Sequence, residues 1–199
     1  MYKFAIACAA GLAASTASGQ VYFSDFEADG GGFVGTGDWE RGTPIGADGT
    51  VLGGFGGPEP VGGFSGDFVW GTVIGGLHNP DTVSSLSITI DATGFTGLEL
   101  SFQEWLDSGG NSFDTAEVVI NNSVIDLRDG GPTNGWRGVT LDLSAFDNST
   151  FDLDFRFSTT GVVERVGWYL DDVAVTGVPA PSALALLSLG GIAAGRRRR

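Results

Sequence analysis

Acidic side chains are the abundant reactive groups of this sequence. Glu104, Asp107, Asp114 and Glu117 fall close together, and two carboxylates held roughly 5–10 Å apart are what glycoside hydrolysis requires. They stand in no glycosidase signature, and carboxylates are expected on the strands of so acidic a chain. The single histidine, His78 in GGLHNP, does not supply the two or more imidazoles that a hydrolytic zinc usually takes. No serine stands in a Gly-x-Ser-x-Gly setting for it to activate, so His78 is read as a loop residue. The only cysteine, Cys8, lies in an apolar leader, which leaves the body without thiol chemistry. Catalysis is therefore not expected. Two other chemistries stay open. In WYLDDVAV, Tyr169, Asp171, Val173 and Val175 share one face by the period of two, which places Asp171 among core residues. A carboxylate there needs a partner charge, a metal ion or backbone amides to cap. Sugar binding needs aromatic platforms, and Trp39 in GDWERG and Trp136 in NGWRG lie in turn-rich text that would expose them. Trp105 and Trp168 adjoin alternating strand text and are assigned to the sheets.

The elements that must position these residues are strands. Runs at 85–93, 98–106, 115–122, 139–146, 151–160 and 168–176 are rich in β-branched and aromatic residues. Leu98, Leu100 and Phe102 alternate with Glu99, Ser101 and Gln103, and Phe151, Leu153, Phe155 and Phe157 with Asp152, Asp154, Arg156 and Ser158. Such alternation marks sheets with one wet face. Turn text such as Asp107-Ser108-Gly109-Gly110 separates the runs. Six or more short strands so spaced predict an all-β, antiparallel two-sheet β-sandwich of the jelly-roll kind. Residues 30–80 read as two short strands, WERGTP and DFVWGTV, joined by glycine-rich loops, with mobility expected over roughly 46–65.

Both ends of the chain differ from this body. Lys3, an apolar stretch from Phe4 to about Ala14 and the small residues Ala17-Ser18-Gly19 have the layout of a secretory signal, with a cut expected after Ala17 or Gly19. Without the ends, five arginines face 24 acidic residues, a net charge of −19. That field excludes nucleic acid and anionic lipid as partners and favours cations. The apolar stretch Ser182–Gly195 holds 14 residues, and as a helix it spans roughly 21 Å, short of the ~30 Å hydrocarbon core. Arg196, Arg197, Arg198 and Arg199 follow it and stay cytoplasmic by the positive-inside rule. Transient insertion during export is the expectation. The boundaries read as 1–19 signal, 20–177 sandwich and 178–199 tail, with a helix at each end of the sandwich.

Three resemblances add to this. WERGTP, FVWGT, LELSFQEWLD, TAEVVINN, GWRGVTLDLSAF and GWYLDDVAV, in this order, resemble the MAM-like jelly-roll domains attached to secreted metallopeptidases of the immune-inhibitor type. FSDFE at the start and WYLDDVAV at the end are similar to calcium-binding carbohydrate-binding modules of the galactose-binding-like superfamily. That likeness implies a structural calcium held by Glu27 with Asp171 or Asp172, provided that first and last strands pair; Asp107 with Asp114 is the second candidate set. Val178-Pro179-Ala180-Pro181, the apolar stretch and the arginines resemble the PEP-CTERM sorting signal, with Ala180 where glutamate is usual. It implies signal peptidase and an exosortase as partners during export, and a final place on the cell surface, outer membrane or extracellular matrix of a Gram-negative-type bacterium. The function expected is a non-catalytic surface or matrix protein that adheres to polysaccharide; the alternative is a secreted glycan-active enzyme or peptidase-accessory domain.

Overall fold

A computed structural model describes residues 18–128 and 130–180; the two expected flanking helices lie outside them. The strands are β1 (Gly19–Ser24), β2 (Val34–Gly35), β3 (Trp39–Gly42), β4 (Val69–Thr72), β5 (Val83–Asp91), β6 (Phe95–Asp107), β7 (Thr115–Ile120), β8 (Ser123–Leu127), β9 (Arg137–Asp142), β10 (Thr150–Ser158) and β11 (Gly167–Pro179). One sheet runs β3-β4-β11-β6-β9 with β1 also on β11, the other β2-β5-β10-β7-β8, and every pairing is antiparallel. The chain is thus an all-β sandwich, as its alternating text predicts.

The core between the sheets is aromatic because β6, β10 and β11 each turn alternate large rings inward. Phe155 meets Phe102 at 5.1 Å and Trp168 at 5.7 Å, both edge to face, an arrangement worth about 0.5–1.5 kcal/mol per pair beyond burial itself. Trp39 joins this core at 5.7 Å from Trp168 and is 5% exposed. The expectation of an exposed Trp39 is therefore corrected. WERG is strand β3, paired with β4, and the pleat sends the indole inward.

One charged group sits inside this apolar layer. Glu104 continues the inward phase of Leu100 and Phe102, and is fully buried. Its Oε1 accepts from Arg128 Nη2 (2.7 Å) and from Arg137 Nε and Nη2 (2.9 and 2.5 Å), and its Oε2 from Arg128 Nε and Trp168 Nε1 (3.2 and 3.1 Å). Both oxygens are saturated, which is the condition for a buried carboxylate to be tolerated. The cluster ties β6 to β9, to the segment after β8 and to β11.

β11 changes partner part-way along. Its first half pairs with β4 (Tyr169↔Gly71, Leu170↔Trp70) and its second with β1, from Val173↔Ser24 to Gly177↔Gly19. The register against β6 slips between Asp171 and Ala174, and Asp172 adopts φ 48°. This β-bulge inverts the expected faces. Trp168, Leu170, Val173 and Val175 point into the main core, while Tyr169 joins a second small core with Val69 and Val166 on the outer side of the sheet. The strand also runs past the expected boundary: Val178 and Pro179 pair with Thr96 and Phe95, and Ala180 N donates to Gly94 O at 2.7 Å. β1 begins at Gly19, so a cut after Ala17 leaves it whole.

The glycine-rich segment between β3 and β4 covers the second core. Two bridges, Ile45↔Val61 and Asp48↔Pro58, fold it back on itself. Glu59, 1% exposed, pins it: Oε1 accepts from Ile45 N and Ala47 N (2.9 and 3.2 Å), Oε2 from Gly75 N and Tyr169 OH (both 2.8 Å). Burial and the Glu59 charge hold the Tyr169 phenol well above its usual pKa, so it remains the donor. The expected mobile stretch is an anchored loop.

Glu104→Gln leaves two arginines short of their acceptor and should lower the unfolding free energy by about 3 kcal/mol, with both sheets reporting the loss in chemical denaturation.

Candidate functional site

The bulge in β11 opens a gap between β4 and β1, and the turn 62–68 fills it. Three of the predicted ligands meet there. Asp171 is fully buried; its Oδ2 accepts from Ser65 N (3.0 Å) and its Oδ1 from Asp172 N (2.7 Å). Asp172 Oδ1 accepts from Ser65 Oγ at 2.6 Å, and Glu27 Oε1 from Asp67 N and Phe68 N at 2.9 and 2.7 Å. Gly66, at φ +66°, has no room for a Cβ beside the Glu27 carboxylate. Arg41 braces the other side, donating from Nε to Phe26 O and from Nη2 to Glu27 O, with its guanidinium 4.1 Å from the Phe68 ring centre.

The pairing of first and last strands thus brings Glu27, Asp171 and Asp172 to one turn, as the sequence implied. Their oxygens nevertheless serve its backbone amides and a hydroxyl. Among the described residues no three His, Cys, Asp or Glu side chains converge to hold a metal ion. The capping alternative for Asp171 is the one observed. The donor chemistry still suits a hard cation: all donors are oxygens, and none of the three carboxylates makes an ion pair among the described residues. Burial drives the Asp171 pKa up from 3.8 to about 6; the amides of Ser65, Asp172 and Phe64 oppose this, and the Asp172 charge adds to it.

The second predicted set, Asp107 and Asp114, serves two different loops. Asp107 Oδ1 accepts from Arg165 Nη1 (2.7 Å) and Oδ2 from Gly57 N (2.8 Å). Asp114 caps Gly109 N (2.9 Å) and Thr160 N (3.0 Å) and faces His78 Nε2 at 3.4 Å. Burial opposes its ionisation, yet the facing His78 imidazole and the hydrogen bonds from these amides keep its pKa below the usual carboxylate value. His78 lies in a loop as expected, but is 1% exposed, with its ring 5.4 Å from Phe157. The carboxylates considered for glycoside hydrolysis are thus largely committed to structure: Glu104 to two arginines, Asp107 to Arg165, Asp114 to loop amides. Trp136 is half-buried in the second core, edge to face with Trp105 (6.2 Å) and Phe64 (6.4 Å).

Sequence reasoning passed over a groove of about 800 Å³. It lies on the outer face of the β2-β5-β10-β7-β8 sheet, where Ser85, Ser87, Thr89, Asp152, Asp154 and Arg156 face away from the core. Their polar ends are linked across strands: Ser85 Oγ donates to Asp154 Oδ1 (2.5 Å), Thr89 Oγ1 to Asp152 Oδ1 (2.7 Å), and Arg156 Nη2 to Asp154 Oδ2 (3.2 Å) and Asn122 Oδ1 (3.1 Å). The alternation in 151–160 exposes these groups in the sequence, but only the pairing of β5 with β10 in the register Thr89↔Asp152 and Ser87↔Asp154 makes them a surface.

Comparison with known proteins agrees with the β-sandwich fold. No family model matches the chain. It is 27% identical over 178 residues to bacillopeptidase F of Bacillus subtilis (strain 168), which covers 85% of this chain but only 12% of that protein. The K1 cleaved adhesin domain of Lys-gingipain from Porphyromonas gingivalis W83 superposes with a TM-score of 0.50 at 14% identity, over 83% of this chain and 99% of that domain, and so shares the fold. A weaker likeness, TM-score 0.47 at 16% identity, links 82% of this chain with 97% of a xylan-binding domain of family CBM 22.

The Asp171 carboxyl sets a pH dependence. It takes up its proton near pH 6 when folded and near 3.8 when unfolded, so its contribution to stability is full below the unfolded value and is lost as pH rises through the folded one. In EDTA, wild-type stability should fall from pH 4.5 towards pH 7 by this contribution, and Asp171→Asn should flatten the slope in urea titrations across that range.

Proposed function

We propose that this chain is an exported, non-catalytic binding module whose sandwich adheres to polysaccharide. The groove on the outer face of the five-stranded sheet carries this reading. It is open along the strands, so it accepts the interior of a chain, and hydroxyl, carboxylate, amide and guanidinium groups line it, the complement of a hydroxyl-rich ligand. Its only cation, Arg156, already serves Asp154 and Asn122, which favours uncharged glycans. The export signal and the sorting tail read from the two ends, with signal peptidase and an exosortase as processing partners, would deliver it to the cell surface or matrix.

Calcium belongs to this proposal as a structural ion. Glu27, Asp171 and Asp172 would hold it beside the turn 62–68, where a hard cation neutralises charge that no cationic side chain among the described residues offsets by an ion pair. It would fix the turn rather than take part in a reaction. A second reading, an accessory domain of a secreted peptidase, is favoured by the alignment with 12% of bacillopeptidase F.

Retention of the mature protein on neutral polysaccharide columns tests the proposal. Wild type should be retained without releasing product, and Arg156→Ala and Asp154→Asn should each weaken retention about tenfold while leaving the melting temperature nearly unchanged. EDTA should lower that temperature if calcium is bound. Retention unaffected by both substitutions would contradict the groove, and turnover of the polysaccharide would contradict the non-catalytic reading.

A further inference from the structure

A second concavity lies on the other sheet, at the far end of β6. It is a pocket of about 200 Å³ lined by Gly57, Pro58, Trp105, Asp107, Pro132 and Asn134. Trp105 projects from the outer face of β6, and Trp136 stands edge to face against its indole. Pro58 comes from the loop between β3 and β4, and Pro132 and Asn134 from the loop between β8 and β9. Both loops are tied down: Gly57 N donates to Asp107 Oδ2 at 2.8 Å, Leu106 N to Thr133 Oγ1 at 3.2 Å, and Thr133 N to Leu106 O at 2.9 Å. The pocket is preformed.

Its chemistry narrows what it takes. Both Asp107 oxygens are occupied, one by Arg165, so the carboxylate is compensated and offers no free charge to a cationic ligand. All five arginines of the body donate to carboxylates or carbonyls within the chain, and no lysine occurs among the described residues. An anionic ligand would find no unpaired cation and would meet the field of 24 acidic side chains. What remains is an uncharged ring with one apolar face for the indole and hydroxyl edges for Asn134 Oδ1, since Asn134 Nδ2 donates to Pro132 O at 3.1 Å. The volume is below the ~300–1,000 Å³ of pockets for drug-sized ligands, which suits one ring and not a chain.

We propose that this pocket binds a single uncharged sugar ring, the end of a glycan chain, stacked on Trp105. The inference rests on glycan binding by the module, but on another sheet and other residues than the groove. The two sites together would let one molecule grip the interior of one chain and the terminus of another.

Intrinsic tryptophan fluorescence of the mature protein, titrated with the methyl glycosides of glucose, galactose and mannose, tests it. At least one glycoside should give a saturable change. Asn134→Ala should weaken that affinity about tenfold, Trp105→Phe should retain binding, and Trp105→Ala should abolish it; Asn134→Ala lies in an exposed loop and keeps the test valid if Trp105→Ala fails to fold. Arg156→Ala should leave the glycoside titration unchanged, and Asn134→Ala should leave retention on polymer unchanged. No saturable response to any neutral glycoside, equal affinity in Asn134→Ala, or tighter binding of methyl glucuronide would overturn the pocket assignment. The polymer columns would still report separately on the groove.

Discussion

Buried carboxylates that accept hydrogen bonds from loop backbone hold this molecule in shape. The one cysteine of the sequence is Cys8, which leaves the sandwich without a disulfide, and among the described residues no α-helix covers the sheets. Glycine-rich loops fixed in one conformation forfeit more backbone entropy than other segments. Buried Asp38, Glu59, Asp107, Asp114 and Asp171, with half-buried Glu27, each accept from one or more main-chain amides of a loop. Hydrogen bonds to an ionised acceptor are about twice as strong as neutral ones, so a few such groups offset much of that entropy. Glycine is required where the loops come closest: at Gly56, as at Gly66, no side chain fits beside the carboxylate and φ is positive.

This arrangement also explains how the two concavities differ. The groove on the five-stranded sheet is built from regular strands, and its shape follows from the register of β5, β10 and β7. The pocket beside Trp105 is built from loops, and exists only because Asp107 and the β6 backbone fasten them. Gly19 and Gly177 pair at the opposite end of β11 from this pocket, where Asp107 pairs with Gly167. β11 has 13 residues, so the separation is roughly 40 Å at ~3.3 Å per residue.

Much of the sandwich is legible in the sequence because alternation is a local signal. Each of the six long runs holds a strand, although 139–146 leaves β9 after Asp142 for a 3-10 turn at Ser144–Phe146, and the two short ones, WERGTP and DFVWGTV, contain β3 and β4. Glu104 continues the inward phase of Leu98, Leu100 and Phe102 and is buried, although the sequence reading considers it only as a carboxylate for glycoside hydrolysis. Three further features were not legible. A bulge adds a residue without leaving a mark in the text, so the face of Asp171 was inverted although its burial and its neighbour Glu27 were foreseen. Trp39 sits in a four-residue strand, too short for periodicity to tell inside from outside. Glu59 stands between two prolines amid glycines, and only the folded loop reveals the amides it collects.

Amide hydrogen exchange of the wild-type protein, resolved by residue, is the most direct measure of whether carboxylates hold the loops. Ile45, Ala47 and Gly75, whose N–H groups donate to Glu59, should be protected nearly as well as the strands, and Glu59→Gln should release them while β6 and β10 stay protected. Exchange of these amides at the rate of an unstructured chain, or protection unchanged in Glu59→Gln, would contradict the account.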